Sequence, residues 1–143
     1  MILKTNALGP KIAKNFYLKE LMNSSDGNYV LYPDPSLGPK MQKLRDILGS
    51  MTITSGTRTK AFNTKVGGAS NSFHLQGLAI DFKANFSGWN KMTLVKVFVA
   101  CGFTNMKFYY RKVNGIWTLH RCHIDIGKPW NGKAFCVLAN KYE

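Results

Sequence analysis

Acidic residues are scarce in this chain. Seven Asp and Glu stand against twenty Lys and Arg, a formal net charge of +13. So positive a surface attracts polyanions, and on composition alone nucleic acid is the first partner to consider. Bacterial wall polymers, with their phosphates and carboxylates, are the second. A compositional bias that only aids solubility is the plain alternative. Cysteine is scarce too: Cys101, Cys122 and Cys136 are odd in number and form no Cys-x-x-Cys. They make no disulfide framework, which fits synthesis in a reducing compartment. No apolar run approaches the ~20 residues of a spanning helix, so no membrane insertion is expected. Residues 1–16 lack an apolar stretch of secretory length, and the expectation is cytoplasmic synthesis without a signal peptide. Repeats, linkers and low-complexity segments are also missing.

What is present suits one domain over residues 1–143, long enough to bury roughly two-thirds of its unfolded surface. Residues 15–22 have helical spacing at Tyr17, Leu18 and Leu21, and residues 23–28 form a turn cluster. A helix is expected from Pro39 with Gly38 as its cap, because a start at Pro35 would place Pro39 inside it. Met41, Leu44, Ile47 and Leu48 make its buried stripe, and Gly49 stops it. Residues 51–54 read as a strand, 60–66 as a short helix ended by Gly67 and Gly68, and 78–83 as a second central strand. Ser87 or Asn90 caps a further helix built on Leu94, Val95, Phe98 and Val99 and closed by Gly102. Asn114-Gly115 between two apolar runs is a strong hairpin signal, with the return strand continuing through His123 to Ile126. Residues 128–132 read as a turn and 135–138 as a last edge strand. The sum is α+β: a small antiparallel sheet with helices packed on one side.

The stretch 54–83 organises the chain. In it Leu78, Ile80 and Phe82 alternate with Ala79 and Asp81, which puts an acid on the face opposite the core. His74 precedes this strand on a turn-rich approach. A His on a loop and an Asp on the next strand can converge on one ion, and His123 is the best third ligand. Two His and a carboxylate suit zinc with an open position better than a closed structural site. Cys122, beside His123, is turned by alternation towards the core and reads as a buried structural thiol.

Several words occur in order: Ser55-Gly56-Thr57-Arg58, Asn63, Gly67-Gly68-Ala69, and Ser72-x-His74-x-x-Gly77-x-Ala79-x-Asp81. Together they resemble the zinc D-Ala-D-Ala carboxypeptidase family, which also holds phage L-alanyl-D-glutamate endopeptidases and is structurally related to the hedgehog signalling domain. His123-Ile124-Asp125 is similar to the family's closing ligand motif, and the likeness runs from about Asn15 to Gly127. It implies Zn2+ on His74, Asp81 and His123, a hedgehog-like fold, and substrate contact by Arg58. Ser72 is the other candidate on the substrate side, as the residue that fixes the loop near His74.

Many relatives carry Glu or Asp three residues before the final His ligand; here that position is His120, a departure. His can serve as a base near pH 7. Strict alternation faces His120 away from His123, and only a bulge or twist would bring it round. Asp125 shares a face with His123 and could act as base or orient a ligand. Both His120 and Asp125 therefore stand as catalytic candidates. The expected function is a zinc peptidase, D,D-carboxypeptidase or endopeptidase, that cleaves peptidoglycan stem peptides or cross-links. A phage or prophage endolysin or tail lysin would fit, monomeric or part of a virion and reaching the wall by lysis or in the particle. The alternatives are a zinc-holding module without turnover and a basic nucleic-acid-binding domain. No known nucleic-acid motif appears, so the metal pattern favours peptidoglycan and anionic wall polymers as partners, with no nucleic acid.

Overall fold

The computed structural model describes residues 2–4, 10–22, 29–31 and 33–143. The turn expected over 23–28 lies outside the described residues. In chain order the elements are β1 (Ile2–Lys4), β2 (Lys11–Ala13), β3 (Phe16–Tyr17), α1 (Leu18–Leu21), β4 (Tyr29–Leu31), α2 (Leu37–Leu48), β5 (Met51–Ser55), α3 (Lys60–Lys65), β6 (Ala79–Ala84), α4 (Lys91–Ala100), β7 (Asn105–Val113), β8 (Ile116–Asp125), β9 (Cys136–Val137) and β10 (Lys141–Tyr142). A 3-10 turn over Phe73–Gln76 precedes β6. The main sheet has the order β5-β6-β8-β7, antiparallel throughout, and β1–β4 and β2–β3 form two small antiparallel pairs. The α+β class holds.

At the edge two short parallel pairs extend the antiparallel sheet. Both β9 and β10 pair parallel with β7. Strand β8 runs against β7, so a chain that reverses after β8 and returns along the free edge of β7 must run with it.

Alternation along β6 sorts its side chains. Ile80 and Phe82 are fully buried in the core with Met106 and Phe108 of β7 and Ile124 of β8. Leu37, Met41 and Leu44 of α2 and Leu94 and Phe98 of α4 close the same core. Cys122 is buried there too, and burial pushes its thiol pKa far up, so it is inert packing. All three cysteines are free and buried.

Helix α2 starts earlier than expected. Ser36 is its N-cap, so Gly38 and Pro39 sit inside the first turn, where a proline loses no helical hydrogen bond. Ile47 leaves the predicted stripe, at 43% exposed. Six residues beyond Met41 is about 120° round the helix from it, whereas seven, at Leu48, returns to the stripe. Helix α4 is capped by Asn90, whose side chain accepts from Thr93 N at 2.9 Å, and Ser87 plays no part. Its Val99 is exposed rather than buried. The β7–β8 turn has positive φ at Asn114 (51°) and Gly115 (79°), the two-residue type whose twist matches a hairpin.

Candidate metal centre

The face of the sheet opposite the core carries the polar residues. Cross-strand register puts Ser55 beside Asp81, Asp81 beside His123, and His123 beside Lys107 in one row. Asp81 and His123 are thus neighbours because β6 and β8 pair directly. His74 comes from the 3-10 turn just before β6. Ser72 starts that turn, its hydroxyl accepting from His74 N at 3.2 Å, and Gly77 ends it at φ 72°. Arg58 N donates to His74 O at 2.9 Å, tying the loop after β5 to this turn. That loop is itself anchored on α1: Thr57 N donates to Leu21 O at 2.9 Å, and a Cβ on Gly56 would run into the same carbonyl. The short N-terminal helix thus supports the site as well as covering the core.

His74, Asp81 and His123 each turn one ligand-type atom to a common point, all within 4.8 Å of one another. Nε2 of His74 lies 3.2 Å from Asp81 Oδ1, and Nδ1 of His123 lies 2.8 Å from it. The outer nitrogens fix the tautomers. His74 Nδ1 sits 2.8 Å from Gly56 O, which can only accept, so the proton is on Nδ1. His123 Nε2 sits 2.8 Å from Asp125 Oδ2, which calls for a proton there. Each inner nitrogen is then left to aim a lone pair at a carboxylate oxygen. Three acceptors facing one point require a cation between them, a proton or a metal. Ligands about 2.0–2.1 Å from a tetrahedral zinc stand roughly 3.3 Å apart, close to the 3.2 and 2.8 Å between Asp81 Oδ1 and the two His nitrogens. The donor set and its geometry fit zinc.

Protonation equilibria carry the same imprint. Burial alone would lower the His123 pKa, but hydrogen bonds to Asp125 and Asp81 outweigh it and raise it to about 9. Burial alone would raise the Asp81 pKa, yet hydrogen bonds to His123 and His74 hold its carboxyl far below the usual range. Asp125 is fully buried, and its other oxygen accepts from Asn105 Nδ2 (2.8 Å) and Gly127 N (3.1 Å). Its hydrogen-bonding capacity is used in orienting His123.

Arg58 reaches Asp81 from the other side, with Nη2 3.2 Å from Oδ2. Its Nε donates to Ser55 Oγ at 3.0 Å and its Nη1 to Asn63 Oδ1 at 3.3 Å. Helix α3, capped by Thr59, carries Asn63, and Gly68 packs so tightly there that a Cβ would collide with Asn63 Oδ1. The Ser-Gly-x-Arg and Gly-Gly words of the sequence meet at this guanidinium.

His120 is reached through a bulge. Tyr109 pairs with Arg121 but Tyr110 pairs with Leu119, so His120 is an extra residue in β8. A cavity of about 600 Å³ is lined by His120 together with Arg58, Asp81, Arg111, Arg121 and Glu143. A second, of about 290 Å³, shares Arg58 and Asp81 with it and includes His74, His123, Tyr109, Phe73 and Trp130. Burial, then the charges of Arg111 and Lys83, lower the His120 pKa.

Sequence reasoning missed several of these groups. Arg121 stacks 3.8 Å over the Tyr109 ring, lies 3.8 Å from Asp81 Oδ2 and pairs with Glu143 at 3.0 Å. Its alternation with His123 and Asp125 was the available signal. Glu143 had none, since its place depends on β10 pairing with β7. Neither did the backbone carbonyl of Gly56.

Comparison with known proteins finds the peptidase M15 family, whose profile matches residues 14–117. Comparison with curated proteins finds no match. The matched span holds Arg58, His74 and Asp81 and ends before His123, whose membership of the group rests on geometry. With more than half of the chain matched, it belongs to the peptidase M15 family.

Proposed function

We propose that this chain is a zinc-dependent peptidase that hydrolyses peptide bonds of peptidoglycan stem peptides or cross-links. The observation that carries the reading is the convergence of His74 Nε2, Asp81 Oδ1 and His123 Nδ1 beside two open cavities. These three residues would hold the metal. Zinc, when bound, supplies Lewis acidity and a water of lowered pKa. Arg58, fixed by Ser55 and Asn63, holds positive charge at the rim, where it can bind a substrate carbonyl or developing negative charge. His120, neutral at pH 7 because its pKa is lowered, can accept a proton from the cavity side. Asp125 keeps Nδ1 of His123 turned inwards and is assigned the orienting role rather than that of base.

The charge of +13 suits a lysin that is held on an anionic wall, free or carried on a phage particle. Wall retention that does not weaken with salt would remove this part of the reading. The decisive experiment digests purified walls with the zinc-loaded protein beside a His74→Ala control, and reads muropeptides by mass spectrometry. New fragments absent from the control are expected, and their masses name the bond and separate carboxypeptidase from endopeptidase action. No fragments, with zinc bound stoichiometrically, would leave a binding module without turnover, which His120 in place of a carboxylate favours.

A further inference from the structure

We propose that Lys83, Arg111 and His120 form a carboxylate-binding subsite, which takes an anionic group carried by the peptide substrate one or two residues from the metal centre. This rests on the peptidase reading for its substrate, but not for its charge. The larger cavity is lined by four permanent cations, Arg58, Lys83, Arg111 and Arg121, against two carboxylates, Asp81 and Glu143. The pairing is uneven. Arg58 is bound to Asp81 and Arg121 to Glu143. Among the described residues, Lys83 and Arg111 have no acidic partner, and both are exposed. Their charge is felt inside the cavity, where both lower the pKa of His120. The arm therefore holds two uncompensated cations beside a neutral imidazole that can donate or accept a hydrogen bond.

Strand geometry places this charge relative to the metal centre. Lys83 follows Asp81 by two positions on β6 and shares its face, roughly 7 Å along the strand. Arg111 follows Tyr109 by two on β7, and the bulge sets His120 on β8 between these strands. A peptide lying across Asp81 would thus direct one end into a cationic arm and the other against Phe73 and Trp130, whose tilted rings touch each other with centroids 4.8 Å apart. A backbone carbonyl needs no such charge, whereas a free carboxylate on a γ-linked or terminal residue does. Amidation of that carboxylate would abolish the match.

The test uses the full-length, zinc-loaded chain and two peptides, N-acetyl-γ-D-Glu-L-Lys amide with its one α-carboxylate free or amidated. Binding is measured by titration calorimetry, and recovered peptide is checked by mass to be intact. The wild-type chain is expected to bind the carboxylate form at least tenfold tighter. The ratio should fall towards one in Lys83→Gln/Arg111→Gln. It should persist in Lys128→Gln/Lys133→Gln, which loses equal charge at exposed positions lining neither cavity. Thermal melts confirm that these surface variants fold. Equal binding of the two peptides, no binding of either, or a ratio kept by the first pair or lost equally by the second would overturn the subsite. A carboxylate preference without muropeptide release would leave the subsite and remove the peptidase; release without preference would do the reverse.

Discussion

The carboxylate of Asp125 accepts from Nε2 of His123 at 2.8 Å and thereby turns Nδ1 of the same ring towards Asp81. Asp125 is in turn held by Asn105 and the backbone of Gly127. Asp125→Asn keeps the shape but sets an amide among donors and weakens control of the His123 tautomer. Zinc affinity should fall about 10–100-fold. Competition against a chromogenic chelator reads this, and unchanged affinity would show that the pair does not orient the ligand.

The metal-free protein should lose stability as pH rises through neutrality. Folded His123 has a pKa of about 9 against an ordinary 6.5. Its contribution is thus fully present below pH 6.5 and lost as pH climbs towards 9, on the order of 3 kcal/mol in total. The depressed Asp81 acts in the opposite sense: its contribution is present above the ordinary carboxylate range and lost in acid. Zinc must displace the His123 proton, so apparent zinc affinity should rise about tenfold per pH unit over the same window. Urea melts with and without zinc from pH 5 to 9 would check both; a metal-free protein that gains stability from 6.5 to 9 contradicts the assignment.

The parts of this site that depend on local spacing were legible in the sequence. His74, the turn glycines and the alternating strand that carries Asp81 lie within one short stretch, and their geometry follows from period two and a turn. Ser55-Gly56-Thr57-Arg58 was legible as a word, but not as the three-way clamp it makes with Asn63 and Asp81. The bulge at His120 was not legible, since Leu119-His120-Arg121 carries no signal that breaks alternation. Glu143, and the parallel pairing of β9 and β10, depend on contacts between distant segments, which period and propensity do not encode. Ile47 was misread because a spacing of six was counted into a stripe that only three, four and seven sustain.

Gly68→Ala should be costly although the residue carries no side chain. Its Cβ would collide with Asn63 Oδ1 and press on Arg58 Nη1. Overpacking of this kind costs about 1–3 kcal/mol, and here it would also loosen the Arg58 clamp. Denaturant unfolding should show the loss, and peptidase activity should fall by more than the folded fraction explains. A neutral effect on both would mean that the loop moves aside freely.

Arg58→Ala should reduce kcat/KM on the order of 100-fold or more, the scale seen when one directed donor to developing charge is removed. Arg58→Lys should rescue little. An ammonium is a point charge and cannot hold Ser55, Asn63 and Asp81 at once in the directions that the guanidinium does. Zinc content is measured alongside, because Asp81 loses a partner in both variants. Full rescue by lysine would reduce the role of Arg58 to charge alone.

His120 decides between turnover and binding. The bulge brings it into the cavity, and burial with two nearby cations keeps it neutral at pH 7. As proton acceptor its removal in His120→Ala should cost 10²–10⁴-fold in kcat, the usual range for a general base. Zinc binding should stay intact, since His120 is not one of the three residues whose ligand atoms converge. The acid limb of the kcat/KM profile should lie below pH 6.5 in the wild type, because the pKa of His120 is lowered in the free protein, and should vanish in the variant. His120→Glu should keep a base and retain activity on the substrate whose carboxylate is amidated, with the limb moved further towards acid. If His120→Ala instead turns over like the wild type, the proton is taken elsewhere in the cavity, and Glu143, the remaining carboxylate in its lining besides Asp81, becomes the residue to replace.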